Sequence, residues 1–196
     1  MKTLLITLLL TNLGVFAAPT CCSTNSPASA ASFTDASLYQ VESNWTSDYN
    51  KQLRLNQLRG RPQIVTMFFS SCHFACPILV HDMKKIEAGL ITAGLTNVGF
   101  VLVSIDPDRD TVEQLHKFRL NQQLNDNWLL LRSESQDVLE LAALLGVKFK
   151  KEANGQLAHS NIITLLNDNG EIVHQQIGLN TDPATIIAAL PKLLKQ

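Results

Sequence analysis

From Tyr39 onward, short β-prone apolar runs alternate with longer stretches whose apolar positions recur at helical spacing. QIVTMFF, Gln63 to Phe69, has no polar face and predicts a central strand buried on both sides. PILVHDMKKIEAGLITAG then sets Ile78, Met83, Ile86 and Leu90 on one helical face and stops at Gly94. Pro77 suits the first turn of that helix, where a missing N–H costs nothing. VGFVLVSID, Val98 to Asp106, is a second buried strand, rich in β-branched residues and ended by Pro107. RDTVEQLHKFRLNQQ predicts a helix capped near Asp110 or Thr111, and NWLLLR a short strand after it. SQDVLELAALLGV is a helix opened by Ser135 and closed by Gly146. HSNIITLLNDNGEIVHQQIG reads as a hairpin turning at Asn169-Gly170, followed by an amphipathic helix from Pro183 to Leu194. Upstream, LYQVESNWTSDYNKQLRLNQLRGRP reads as short strands and turns that lead in.

The order is β-α-β-α-β-α-β-β-α, an α/β domain with early parallel strands, helical crossovers and a terminal antiparallel hairpin. That is the outline of a thioredoxin-like fold: a mixed central sheet flanked by helices, with an N-terminal strand extension and a C-terminal β-hairpin plus helix. No internal repeat or second linker interrupts residues 38–196, which predicts one domain. The first 17 residues, MKTLLITLLLTNLGVFA, carry Lys2, an apolar run, and Val15 and Ala17 at the −3 and −1 positions of a signal-peptidase site. The run is shorter than the roughly 20 apolar residues of a membrane span, so a cleaved signal peptide and a periplasmic protein are expected. Membrane association then requires that the segment be retained or the chain lipidated. The first arginine is Arg54, which argues against a mitochondrial transit peptide. Residues 18–37 are small and polar and predict a flexible tether. It holds Cys21 and Cys22, of no assigned role, and Pro19-Thr20 is a poor lipoprotein processing site.

Composition narrows function mainly by exclusion. With 45% hydrophobic residues, 17% charged and a net charge of −1, the chain suits a globular domain and has no basic stripe for nucleic acid.

The chemistry lies at Cys72 and Cys76, between the first buried strand and the first long helix. Unpaired N–H groups at a helix N-terminus favour a thiolate, the form that attacks disulfides or binds metal. Three intervening residues allow the two sulfurs to close a disulfide or to share one ion. Two thiolates favour Cu(I) or zinc. A structural zinc site wants four protein ligands, and no second CxxC or clustered His pair is present. Two sulfurs plus one further donor suit copper that is to be passed on.

Five histidines compete for that third place. His73 lies between the cysteines, His81 and His116 fall among polar helix positions as solvated residues, and His174 sits in the last strand. His159 opens HSNIITLL directly after a loop. Thioredoxin-type oxidoreductases put a cis-proline there, whereas no proline lies between Asp110 and Pro183.

SLYQVESNWT, LNQLRGRPQIVTMFFSSCHFACP, VLVSIDPDRDTVEQL and HSNIITLLNDNGEIV together resemble the SCO/SenC family of thioredoxin-fold copper proteins, in family order. The resemblance implies a copper site, Cu(I) or Cu(II), of Cys72, Cys76 and His159. It also implies a metallochaperone that delivers copper to the CuA centre of cytochrome c oxidase or prepares its thiols. Its partner would be the copper-receiving oxidase subunit or another thiol-bearing exported client. Asp106 matches a family aspartate near the site and would tune it from behind the ligands; it also reads as a turn residue ending its strand. Ala158 stands where the family commonly has an acid, and KFKKEANGQLA is a shorter, more polar loop. The alternative is a periplasmic thiol-disulfide oxidoreductase that uses Cys72 and Cys76 as a redox pair without obligatory metal. A peroxiredoxin-like peroxidase would want Thr where Phe69 stands.

Overall fold

The computed structural model describes residues 33–152 and 157–193. The expected signal peptide, most of the tether, and Cys21 and Cys22 lie outside them. Two short strands lead in, β1 (Trp45–Ser47) and β2 (Gln52–Leu53). The central unit follows: β3 (Gln63–Phe68), α1 (Ala75–Thr92), β4 (Gly99–Ser104), α2 (Val112–Asn121), β5 (Trp128–Arg132) and α3 (Ser135–Leu144). A ribbon of β6 (Phe149–Lys151) and β7 (Leu157–His159) precedes the hairpin β8 (Ile162–Leu166) and β9 (Ile172–Ile177), and α4 (Ala184–Leu193) closes the chain.

Seven strands form one sheet in the order β2-β1-β5-β4-β3-β8-β9. β3, β4 and β5 are parallel, and β8 runs antiparallel to β3. Every residue of β3, β4 and β8 is buried, which is why their sequences show no polar face. Trp45, Phe68, Phe100 and Trp128 fill the core, with Phe100 stacked on Trp128 at 4.8 Å between ring centroids. Thr111 caps α2 by accepting the Gln114 N–H, and Gly94 and Gly146 end α1 and α3 with positive φ.

The packed chain starts before the expected domain boundary at 38. The Phe33 ring meets Tyr39 edge-on, and Ser37 is buried and bridges to Glu171. Gly170, with φ +82°, turns the β8–β9 hairpin against Tyr39; a Cβ there would stand 2.6 Å from the ring. Among the described residues, no helix is long and apolar enough to cross a membrane.

Two expectations need correction. His159 does not open the hairpin strand: it ends β7, in a separate two-stranded ribbon, opposite Phe149. Correspondingly, KFKK is the β6 side of that ribbon rather than plain loop. Nor is His116 a freely solvated side chain. Its ring packs edge-on against Tyr49, and its Nδ1 is 3.6 Å from the buried Asp48 carboxylate. Asp48 itself pairs with the buried Arg119, at 2.5 Å to Nε and 3.0 Å to Nη2.

Topology then sets where chemistry can collect. The parallel pair β3 and β4 end on the same edge of the sheet, so the cysteine loop after Phe68 and the turn after Ser104 are neighbours. Because β8 is antiparallel to β3, its beginning lies on that edge too; Thr66 Oγ1 donates to Ile162 O at 2.6 Å. His159 arrives three residues earlier.

Candidate metal centre

Cys72 lies in the loop before α1, and Cys76 in the helix's first turn; both are free thiols. The pair does not sit one helical turn apart on α1. Instead the loop folds Cys72 back over the helix end, where its Sγ accepts the Cys76 N–H at 3.3 Å. Phe74, at the N-cap position, offers no capping side chain. The Cys72 sulfur takes that role, which adds to its acidity. The hydrogen bond from the Cys76 thiol is the largest cause; opposed by partial burial and helped by the N–H groups of residues 74–76, it lowers the Cys72 pKa to about 5. Cys76 is buried, and its thiol is pushed up by donating to the Cys72 thiolate and by that burial. Cys72 is therefore the more acidic sulfur of the pair and Cys76 the more basic.

His159 completes the group. Its Nε2 is 3.6 Å from Cys76 Sγ, and its Nδ1 is 3.0 Å from the Ser160 carbonyl. A carbonyl only accepts, so Nδ1 donates to Ser160, and Nε2 is the ring nitrogen that faces the sulfurs. Phe69 supports the ring edge-on, 5.8 Å between centroids. The ribbon fixes the approach: Ser160 N–H donates to Lys148 O at 2.8 Å. One ligand atom from each of Cys72, Cys76 and His159 lies within 4.8 Å of the others. Three N/S donors about 2.0–2.3 Å from one ion stand roughly 4 Å apart, so these residues fit a copper ion with little movement.

Behind the loop is a carboxylate that the sequence marked only as a helix cap. Asp110 is fully buried and accepts the Ser70 N–H at 3.1 Å, the Ser70 hydroxyl, and the Ser104 hydroxyl at 2.5 Å. Burial raises its pKa, against the pull of those donors. Arg132 secures the turn by donating to Asp110 O at 2.8 Å and Pro107 O at 3.1 Å. Asp110 thus ties the turn after β4 to the residue two before Cys72. The signal for it was the pair of small hydroxyl residues, Ser70 and Ser104, each just past or at the end of a buried strand. Asp106, the aspartate marked from the sequence, instead pairs with Arg109. Arg109 in turn lines an open cleft of about 480 Å³ with Phe69, Cys72, Phe74, Leu157 and His159. His73 is exposed at the same cleft, outside the three-ligand group; His81 and His174 are not part of that group either.

The fold, a reactive thiol pair and a converging imidazole can be set beside known proteins. The SCO1/SenC family model matches residues 34–195, nearly the whole described chain. The chain belongs to the SCO1/SenC family. It is 28% identical over 150 residues to a SCO1 protein homolog of Bacillus subtilis, covering 74% of this chain and 77% of that one. The solved structure of BsSco, described as a member of the Sco family of cytochrome c oxidase assembly proteins and as having a disulfide switch, superposes with a TM-score of 0.68. Identity there is 25%, over 78% of this chain and 91% of that one. Copper-bound ScoI of Arabidopsis thaliana shares the fold with a TM-score of 0.69 at 22% identity, covering 78% and 96% of the two chains. A thioredoxin-like SCO fold, expected from the order of strands and helices, is what this chain adopts.

Proposed function

We propose that this SCO1/SenC member is a metallochaperone that carries one copper ion on Cys72, Cys76 and His159. The observation that carries the reading is their convergence within 4.8 Å, from a helix end and an independent ribbon. Copper is the cargo. Metal thiolates carry no proton, so loading releases the thiol protons and unloading returns one to Cys76, the more basic sulfur of the pair. The client is a copper-receiving subunit of cytochrome c oxidase, supported by the family and by the description of BsSco. The compartment is the periplasm, on the strength of the leader sequence at residues 1–17.

The thiolate at Cys72 also favours a second reading, in which the reduced pair opens a client disulfide without metal. Anaerobic transfer separates the two. Copper-loaded protein mixed with the apo CuA domain of an oxidase subunit is expected to give up its metal as the domain gains its copper absorption. A domain that is reduced by the protein yet takes no copper from it would favour the thiol reading and sink the delivery reading.

A further inference from the structure

Two features at and beside the cleft are not explained by stability. At the cleft stands Phe74, with 87% of its surface exposed. It holds the N-cap of α1, a position where Ser, Thr, Asp or Asn would satisfy a helix N–H and Phe satisfies none. A large ring kept in water at that position, between the two cysteines, points to an anchor for something that arrives.

Beside it the ribbon is cationic, although the whole chain has a net charge of −1. Lys148, Lys150 and Lys151 are exposed along the residues of and before β6. Lys150 pairs with Glu152 at 3.1 Å, and Arg109 across the cleft pairs with Asp106. Lys148 and Lys151 have no ion pair among the described residues. On β7 the residue opposite Lys150 is the exposed Ala158, so that position adds no negative charge.

We infer that Phe74 and the lysines 148 and 150, which share a ribbon face beside Ala158 and His159, form a docking face for the client, a protein presenting an apolar pocket rimmed by Asp and Glu beside its own cysteine pair. The inference rests on the reading that Cys72 and Cys76 engage a client, through copper or through thiols. The ring supplies the anchor to be desolvated on docking, and the positive charge of the ribbon orients the approach.

Thiol exchange tests docking without needing copper. Two oxidised peptides share one Cys-x-x-x-Cys disulfide and a leucine, and differ in acidic against lysine flanks. The Cys72 thiolate attacks a peptide sulfur, the peptide disulfide breaks, and a mixed disulfide forms. Cys76 then attacks the Cys72 sulfur and displaces the peptide sulfur bound to it, its proton passing to a leaving thiolate; the protein is oxidised by two electrons and the peptide reduced. The acidic peptide is expected to react about 10-fold faster at low salt, an advantage that fades at high salt. Joint K148E and K150E substitution should reverse the preference. F74A should slow both peptides while leaving exchange with neutral 2,2′-dithiodipyridine unchanged, which also reports an intact thiol pair. Equal rates for the two peptides, or a preference that survives the charge reversal, would overturn the docking face. Either result leaves copper loading, measured separately, untouched.

Discussion

Replacing His159 with alanine is expected to lower copper affinity by more than about 100-fold while the fold and both thiols persist. The lower bound follows from metal sites in general, where loss of a group merely supporting a ligand costs about 10–100-fold. His159 is a ligand candidate in its own right, with Nε2 turned to Cys76 Sγ at 3.6 Å. Its ribbon is held by the bonds between residues 148 and 160 and by the Phe149 pairing, none of which needs the imidazole. Competition titration with a Cu(I) chelator, alongside circular dichroism, reads both quantities. Unchanged affinity in a folded variant would remove the imidazole from the site.

The second large effect is on stability. Arg119→Met is expected to cost about 3–5 kcal/mol, because the Asp48 carboxylate would be left buried and uncompensated. Arg119 also donates to Asn125 O at 2.8 Å and Trp128 O at 2.6 Å, tying α2 to the start of β5. For a chain of this size that cost lowers Tm by roughly 10 °C or more. His116 Nδ1, 3.6 Å from Asp48, is too far to replace those bonds. Adding Asp48→Ala to Arg119→Met should restore part of the loss, since removing both members of a buried pair costs less than removing one. Thermal unfolding of the three variants closes the cycle; additive losses would mean that the pair is not coupled.

The central strands were legible because β3 and β4 are buried on both faces and so carry uninterrupted apolar runs. Cys72 and Cys76 were legible for a similar reason: a strand end, a proline and a helical period place them at a helix tip. His159 was singled out by elimination but assigned to the wrong strand. β6 and β7 are three residues each and largely exposed, so they show no alternation of apolar and polar positions. Asp110 looked like one acid among several in a polar turn. Only the closure of β3 beside β4 brings Ser70 and Ser104 around it. The Asp48–Arg119 pair spans 71 positions in the sequence and has no local signature.

X-ray absorption at the copper edge, on anaerobically loaded protein, tests the convergence of the three ligands most directly. The expected spectrum shows copper with two sulfur neighbours near about 2.3 Å and one nitrogen near about 2.0 Å. A copper shell without sulfur, or full copper loading of a C72S/C76S variant, would contradict it.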